Sequence, residues 1–200
     1  MKENISEEDL AVMYADGDSE ALGELLKRCK SDLFGFLFAI TGHSDVAEDI
    51  FQEVFLKFAE KPGMYKPKHK FRAWLFSVAR NAASDYFRKI KSRREISIEY
   101  GNGDFGEDTE GSISLLLQDK DSFRPDAVFE NSQLSSDIHK ALSALPAEQR
   151  EIFYLRHYSG LSFKEISEMT GVPLGTLLSR MSRAAVSLRS ALEKAGYKAD

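Results

Sequence analysis

One stretch of the chain, residues 66–94, mixes cations with aromatic side chains and is therefore suited to contact a polyanion. It holds ten Lys and Arg against one acid, Asp85, although the whole chain has a formal net charge of -5. The aromatic residues interleaved among the cations are Phe71, Trp74, Phe76, Tyr86 and Phe87. Because cations hold phosphates and exposed rings stack on bases, this stretch predicts a helix that touches unpaired nucleic acid.

Helical spacing divides these aromatic residues into a core set and an exposed set. At about 100° per residue, one face of the helix carries an apolar stripe that we expect in the core, formed by Phe71, Leu75, Val78, Ala82 and Tyr86 with Trp74 and Ala79 beside it. The opposite arc holds two aromatic residues and four cations, namely Phe76, Phe87, Arg72, Arg80, Lys91 and Arg94. We expect this arc to be exposed and to touch nucleic acid. The alternative is a solvated basic helix with an ordinary apolar stripe.

Composition excludes several classes of protein. The longest apolar run, residues 33–40, is too short to span a bilayer, and the N-terminus has no secretory pattern, so we expect a cytoplasmic protein. The single cysteine, Cys29, excludes an internal disulfide, and the four histidines show no metal-ligand spacing. We expect no metal site, no cofactor and no catalytic residue.

Charge changes sign along the chain and marks its organisation. Residues 1–65 sum to -8, residues 66–94 to +9, and residues 95–126 to -7. The segment 100–111 combines four glycines with acids and lacks apolar periodicity, which is typical of a flexible linker. The predicted fold is all-α, with a small helical domain over residues 1–94, an acidic flexible linker over 95–124, and a second small helical domain over 125–200. The linker could equally be a disordered spacer with no role of its own.

A helix predicted from Ser44 to the Pro62-Gly63 break has two patterned faces. Its apolar face, expected in the core, contains Ala47, Ile50, Phe51, Val54, Phe55 and Phe58. The opposite face of this helix, the third predicted in the chain and labelled α3, carries an i, i+3, i+4, i+7 row that we call the α3 row: Asp49, Gln52, Glu53 and Leu56. Such a row is usually only a solvated face, but the leucine within it indicates a partner helix.

The second domain contains the pattern of a helix-turn-helix. Pro146 suits the first turn of a helix, and Ser162 with Glu165 forms a capping box that begins a short helix ending at Gly171. A longer helix follows Pro173, and its outer face carries Thr176, Ser179, Arg180 and Arg183. These side chains suit guanine edges and phosphates in a major groove, whereas the alternative is a helical hairpin used for protein contacts.

With these residues in place, the chain resembles the extracytoplasmic-function (ECF) sigma factors of the bacterial sigma-70 family. Region 2 of that family is similar to DVAEDIFQEVFLKF, residues 45–58, followed by FRAWLFSVARNAASDYFRKIKSRR, residues 71–94. Region 4 is similar to residues 142–184, LSALPAEQREIFYLRHYSGLSFKEISEMTGVPLGTLLSRMSRA. The resemblance covers nearly the whole chain except the linker.

The resemblance implies a role for each surface. The clamp helices of core RNA polymerase would bind the α3 row, namely Asp49, Gln52, Glu53 and Leu56. The flap of the polymerase would be a further contact of the chain. The loop from Gly63 to Lys70 and the basic helix would recognise and open the -10 promoter element. The residues implied there, together with those of the exposed arc, are Arg72, Phe76, Arg80, Asn81, Asp85, Phe87, Arg88 and Lys91. Thr176, Ser179, Arg180 and Arg183 would read the -35 element. The linker would enter the polymerase channels, and an anti-sigma factor would be a further partner.

Two departures from the family and two rival functions accompany this interpretation. Leu178 stands where the family commonly has a cation, and Ala184, Ala185 and Val186 stand where it is often basic. Fewer cations imply weaker phosphate attraction, or a -35 element read partly through thymine methyl groups. The linker is also longer and more acidic than the family leads us to expect.

Two rival functions remain as alternatives. One is a helix-turn-helix regulator that works without polymerase, and the other is a sigma mimic that titrates a regulator.

Overall fold

The structure is a computed structural model that describes residues 4–99 and 133–197, with side chains left out of the description at residues 91–99, 135, 136 and 139. The predicted linker, residues 95–124, lies largely outside the described residues. Over the described ranges the chain is all-α, as predicted, and has no strand. Its helices are α1 (Glu7–Ala15), α2 (Ser19–Thr41), α3 (Ser44–Glu60), a 3₁₀ turn (Pro62–Met64), α4 (Phe71–Glu99), α5 (Gln133–Ser143), α6 (Ala147–Ser159), α7 (Phe163–Thr170) and α8 (Leu174–Lys194).

Helices α1–α4 form a first unit whose core follows the predicted spacing. All six residues of the predicted apolar face of α3 are buried. At the edge of this core, Arg72 of α4 joins three helices because its guanidinium pairs with Glu7 of α1 and with Asp32 of α2. Tyr14 of α1 adds a link by donating to the carbonyl of Ala59, 2.8 Å away. The first unit is therefore held by apolar packing inside and by polar cross-links at its rim.

Helices α5–α8 form a second unit that contains the helix-turn-helix. The predicted capping box is confirmed, since the Ser162 side chain accepts from the Glu165 backbone and the Glu165 carboxylate accepts from the Ser162 backbone. The short helix α7 ends at Gly171, whose φ of 71° favours glycine. The buried Arg150 donates to the Ser143 carbonyl at 2.9 Å and closes the corner between α5 and α6. The capping box thus begins α7, and the turn at Gly171 ends it before α8.

The two units pack directly on each other. Helix α6 lies along α2, while α4 contacts both α6 and α7. Gly35 is buried in α2, and a Cβ placed there would lie 2.7 Å from Cε1 of Tyr158 in α6. Buried apolar residues of both units consequently form one continuous core cluster.

Helix α4 is covered from two directions, which overturns one prediction. Phe71, Leu75 and Ala79 are buried as predicted, but Phe76 is also fully buried, with its ring 5.3 Å from the ring of Phe36 in α2. The prediction that Phe76 is exposed is therefore wrong. The reason is that the ring of Phe76 packs against Phe36 of α2 within the first unit, so the buried surface of α4 is wider than the single predicted stripe.

Within residues 4–99 and 133–197, no helix combines the length and apolar content needed to cross a membrane.

Burial of Phe76 predicts a large stability cost for its truncation. Phe76→Ala should lower the free energy of unfolding by about 3–5 kcal/mol, the usual cost of a buried phenylalanine. The matched control is Phe87→Ala in the same helix, where the side chain is only half-buried, and a clearly smaller cost is expected. Urea denaturation of both variants measures the difference, and equal costs would contradict the packing described above.

Glu165 predicts an acid-dependent contribution to stability. Hydrogen bonds from Lys70 and from Ser162 lower the pKa of Glu165 to about 2, from an ordinary value of 4.5. Its stabilising contribution is therefore complete above about pH 4.5 and is lost as the pH falls towards about 2. Urea denaturation should show Glu165→Gln less stable than the wild type at neutral pH, with the difference shrinking in acid. Glu168→Gln, at an exposed position of the same helix, is the control; a difference that does not change with pH would contradict the assignment.

Candidate nucleic-acid interface

Three exposed polar residues lie in a row along one face of α4. Asn81, Asp85 and Arg88, spaced i, i+4 and i+7, are all exposed, and we call them the α4 row. Arg88 pairs with Asp85 at 2.9 Å. Because this ion pair is solvent-exposed, it contributes little energy, and a phosphate could replace the carboxylate at small cost. Phe87 is half-buried and meets Tyr86 edge to face, with ring centroids 5.6 Å apart. The α4 row is thus free of core packing and available to a ligand.

The other predicted residues of α4 are less accessible. Arg72 is bound to Glu7 and Asp32 within the first unit. Burial alone would lower the pKa of Arg72, but the hydrogen bond to Asp32 and the charge of Glu7 outweigh it and raise the pKa. Arg80 pairs with Glu151 of α6. The side chain of Lys91 lies outside the described residues. Arg72 therefore has a structural role in this conformation, and Arg80 is held by the second unit.

The loop that precedes α4 presents cations and one exposed apolar side chain. Met64 is 48% exposed, and Lys66, Lys68 and Lys70 follow it at exposed positions. Buried Tyr65 anchors the loop by donating to the carbonyl of His69 at 2.7 Å, and burial raises the pKa of Tyr65 to about 12. The sequence had singled out this loop as a whole, but only the structure separates its buried anchor from its exposed tip.

A polar cleft of about 530 Å³ lies between the start of α6 and the first turns of α8. All four residues predicted to read duplex DNA line it: Thr176, Ser179, Arg180 and Arg183. The other lining residues are Pro146, Glu148, Gln149 and Gly175, and we call the whole the reader cleft. Two cations and several hydrogen-bonding groups in one open cleft can hold phosphates and base edges.

Sequence reasoning missed the contribution of α6 to the reader cleft. Glu148 pairs with Arg180, so the free protein supplies a carboxylate where a phosphate or a base edge would bind. The available signal was Pro146, which begins a helix and thereby exposes the polar residues of its first turn. What the sequence could not show is that this first turn faces α8.

The α3 row lies where it was predicted, on the exposed face of its helix. Asp49, Gln52, Glu53 and Leu56 are all exposed, and Leu56 is 59% exposed despite its apolar side chain. Glu53 pairs with Lys57 of the next turn, and Gln52 donates to Glu48. An exposed leucine among acids and amides suits a partner that offers an apolar contact surrounded by cations.

Comparison with known proteins matches both units to one family. The family model for sigma-70 region 2 matches residues 25–94, and the model for sigma-70, region 4, matches residues 135–188. ECF RNA polymerase sigma factor EcfG of Rhodopseudomonas palustris is 30% identical over 160 residues, 80% of this chain and 78% of that protein. ECF RNA polymerase sigma factor SigW of Bacillus subtilis is 27% identical over 88% of this chain and 91% of that protein.

A solved structure shares the fold as well. The sigma factor RpoE of Bartonella quintana, in complex with the anti-sigma factor NepR, matches with a TM-score of 0.62 and 27% identity over 86% of this chain and 96% of that one. The family models, the similar proteins and the similar fold thus indicate the same family for both helical units. The chain belongs to the ECF RNA polymerase sigma factors of the sigma-70 family.

Proposed function

We propose that this chain joins core RNA polymerase, recognises a two-part promoter and opens the DNA for transcription initiation. The observation that carries the proposal is the reader cleft, which gathers Thr176, Ser179, Arg180 and Arg183 in the family's region 4. A second DNA surface, formed by the α4 row and the loop before it, lies in region 2 of the same chain. A sigma factor needs both surfaces, whereas a simple helix-turn-helix regulator needs only one.

The division of labour follows from the chemistry of each surface. The reader cleft binds duplex DNA at the -35 element through arginines, a threonine and a serine. The α4 row with Phe87, joined by Arg80 and Lys91, binds the separated strand of the -10 element. Each captured base contributes about 1–3 kcal/mol by stacking, so a few of them offset the cost of opening the duplex. Polymerase supplies the chemistry of RNA synthesis.

The α3 row is the proposed contact with core polymerase. Leu56 inserts between side chains of the partner, while Asp49, Gln52 and Glu53 pair with cations and amides around it. The polymerase then holds the two DNA surfaces at promoter spacing, which converts two weak contacts into one strong one. An anti-sigma factor is a further proposed partner, supported by the complex in which the similar RpoE was solved.

The alternatives are separated by direct experiments. A regulator that works without polymerase would bind promoter duplex alone in a gel shift, and the sigma proposal expects such binding only with core polymerase present. A sigma mimic would bind neither DNA nor polymerase productively. Run-off transcription by purified core polymerase with this chain, on a randomised promoter library, tests the sigma function itself, and failure to initiate on any sequence would overturn it.

The reader cleft predicts a specific loss of upstream contacts. Arg180→Ala with Arg183→Ala should remove footprint protection at the -35 element and flatten the salt dependence of holoenzyme binding by about two units of slope, since about one unit is lost per phosphate contact. Arg189→Ala is the control, because this exposed arginine of α8 lies outside the cleft. An unchanged footprint in the double variant would contradict the assignment.

The α3 row predicts a loss of polymerase binding. Leu56→Asp should weaken association with core polymerase by about 10- to 100-fold, the equivalent of leaving a buried leucine uncovered. Surface plasmon resonance with immobilised core enzyme measures the change. Val12→Asp is the control, since Val12 is an exposed apolar residue of α1 outside the row. Equal losses in the two variants would show that the row is not the docking surface.

A further inference from the structure

Two exposed leucines lie side by side near the start of α8, the helix that carries the proposed -35 reader. Leu174 is 43% exposed and Leu178 is 47% exposed, and their i, i+4 spacing places them on one face, which we call the leucine ridge. The buried stripe of α8, marked by Leu177 and Ala184, lies to one side of this ridge. Neither leucine lines the reader cleft. The ridge is therefore a separate feature of the reading helix.

Helical spacing places the leucine ridge and the cations of the reader cleft on opposite sides of one narrow strip. At about 100° per residue, Gly175 and Ser179 follow the ridge around α8, and the arginines of the cleft come after them. Apart from its chain neighbours and the α8 backbone, nothing in the described part of the chain lies within 4 Å of a Cβ placed on Gly175. The strip is thus open at Gly175, where the backbone can come close to a ligand that touches both the ridge and the cations.

The charge of α8 selects the kind of ligand. From Leu174 to Leu192 the helix carries three arginines and no acid, and its first acid is Glu193. An apolar ridge beside cations and hydroxyl groups matches the major groove of DNA, which offers phosphates, hydrogen-bond acceptors and one apolar group, the C5-methyl of thymine. A partly exposed leucine gains free energy by covering that methyl, but it cannot hydrogen-bond to a guanine or cytosine edge in the same place.

We propose that the leucine ridge determines sequence specificity in the -35 element by covering C5-methyl groups of thymine. This inference rests on the proposed reading of duplex DNA by the neighbouring cleft. Leu178 decides the choice of base, because an arginine at the same position would instead bond to O6 and N7 of guanine. The ridge thus adds an apolar contact with thymine to the polar contacts that the reader cleft makes in the same groove.

The size and the salt dependence of this contact follow from its apolar nature. Covering one methyl group should raise the affinity for DNA about fourfold, the equivalent of one buried carbon. The contact neutralises no phosphate, so it leaves the salt dependence of DNA binding unchanged. Loss of the ridge is therefore distinguishable from loss of Arg183, which would also flatten the salt dependence.

Deletion of the methyl group from the DNA is the direct test. Core polymerase loaded with the full chain selects, by binding alone, from a duplex library that is randomised upstream of a fixed start site. The selected duplexes are then made again with deoxyuridine in place of thymine, which removes the methyl group and keeps the base pair. The selected sequences should contain thymine at fixed upstream positions, and the deoxyuridine form should bind about fourfold more weakly for each covered methyl. Equal affinity for the two forms would overturn the inference.

Substitutions at position 178 test the same contact from the protein side. Leu178→Ala should bind the thymine and deoxyuridine forms about equally, with an unchanged salt dependence. Leu178→Arg should select guanine where the wild type selects thymine. Val186→Ala is the matched control, because Val186 is an exposed apolar residue of α8, 67% exposed, that lies two turns beyond the ridge. An equal loss of thymine preference in Leu178→Ala and Val186→Ala would contradict the assignment to the ridge.

Two further measurements separate this inference from a protein-docking role and from the proposed function. Surface plasmon resonance should show that Leu178→Ala binds core polymerase as well as the wild type does. Weaker polymerase binding with an unchanged thymine preference would mean that the ridge docks a protein, and would overturn the inference.

Run-off transcription on the selected duplexes then tests the function itself. Initiation from an element that is indifferent to the methyl group would leave the promoter function standing and overturn the role of the ridge. A thymine-dependent element that binds without initiation would support the ridge and overturn the proposed DNA opening. Selection of no sequence at all would overturn both.

Discussion

The close approach of Tyr158 to Gly35 is the contact on which the arrangement of the two described helical units depends. Because position 35 has no side chain, α6 can lie against α2, and the two helical units share one continuous core. That approach brings Glu151 and Glu165 to the rim of α4, where they pair with Arg80 and Lys70. The second unit, seated at this glycine, therefore covers the Arg80 side of the basic helix, whereas the α4 row stays exposed.

Several cations of the proposed DNA surfaces form ion pairs with carboxylates of the same chain. Although the net charge is -5, arginines of both proposed DNA surfaces have a carboxylate partner in the free chain: Arg80 with Glu151, Arg88 with Asp85, and Arg180 with Glu148. When such an arginine binds DNA, a phosphate replaces its carboxylate partner. The gain in binding free energy is therefore smaller than it would be for an unpaired arginine. Under the proposed function, core polymerase would add binding energy and fix the geometry of both surfaces, which would offset this smaller gain.

Local periodicity made much of the fold predictable. The buried face of α3, the capping box at Ser162 and Glu165, and the turn at Gly171 depend on residues no more than a few turns apart, and all three are observed. The four α8 residues of the reader cleft predicted to read DNA were predictable for the same reason, because one outer face of one helix carries Thr176, Ser179, Arg180 and Arg183. The α3 row was predictable because its residues lie opposite the apolar face of the helix, and all its members are exposed.

The sequence by itself determined the approximate positions of the helices, the buried face of α3 and the alternation of charge along the chain, because these depend on neighbours within a few turns. Only the tertiary structure decided the second face of α4, where Phe76 is buried and Arg80 is paired, and the contribution of Glu148 to the reader cleft. Helical spacing assigns one buried stripe, whereas a second one requires another helix to arrive from elsewhere in the chain. Here Phe76 packs against Phe36 of α2, while Arg80 pairs with Glu151 of α6, which lies against α2 at Gly35.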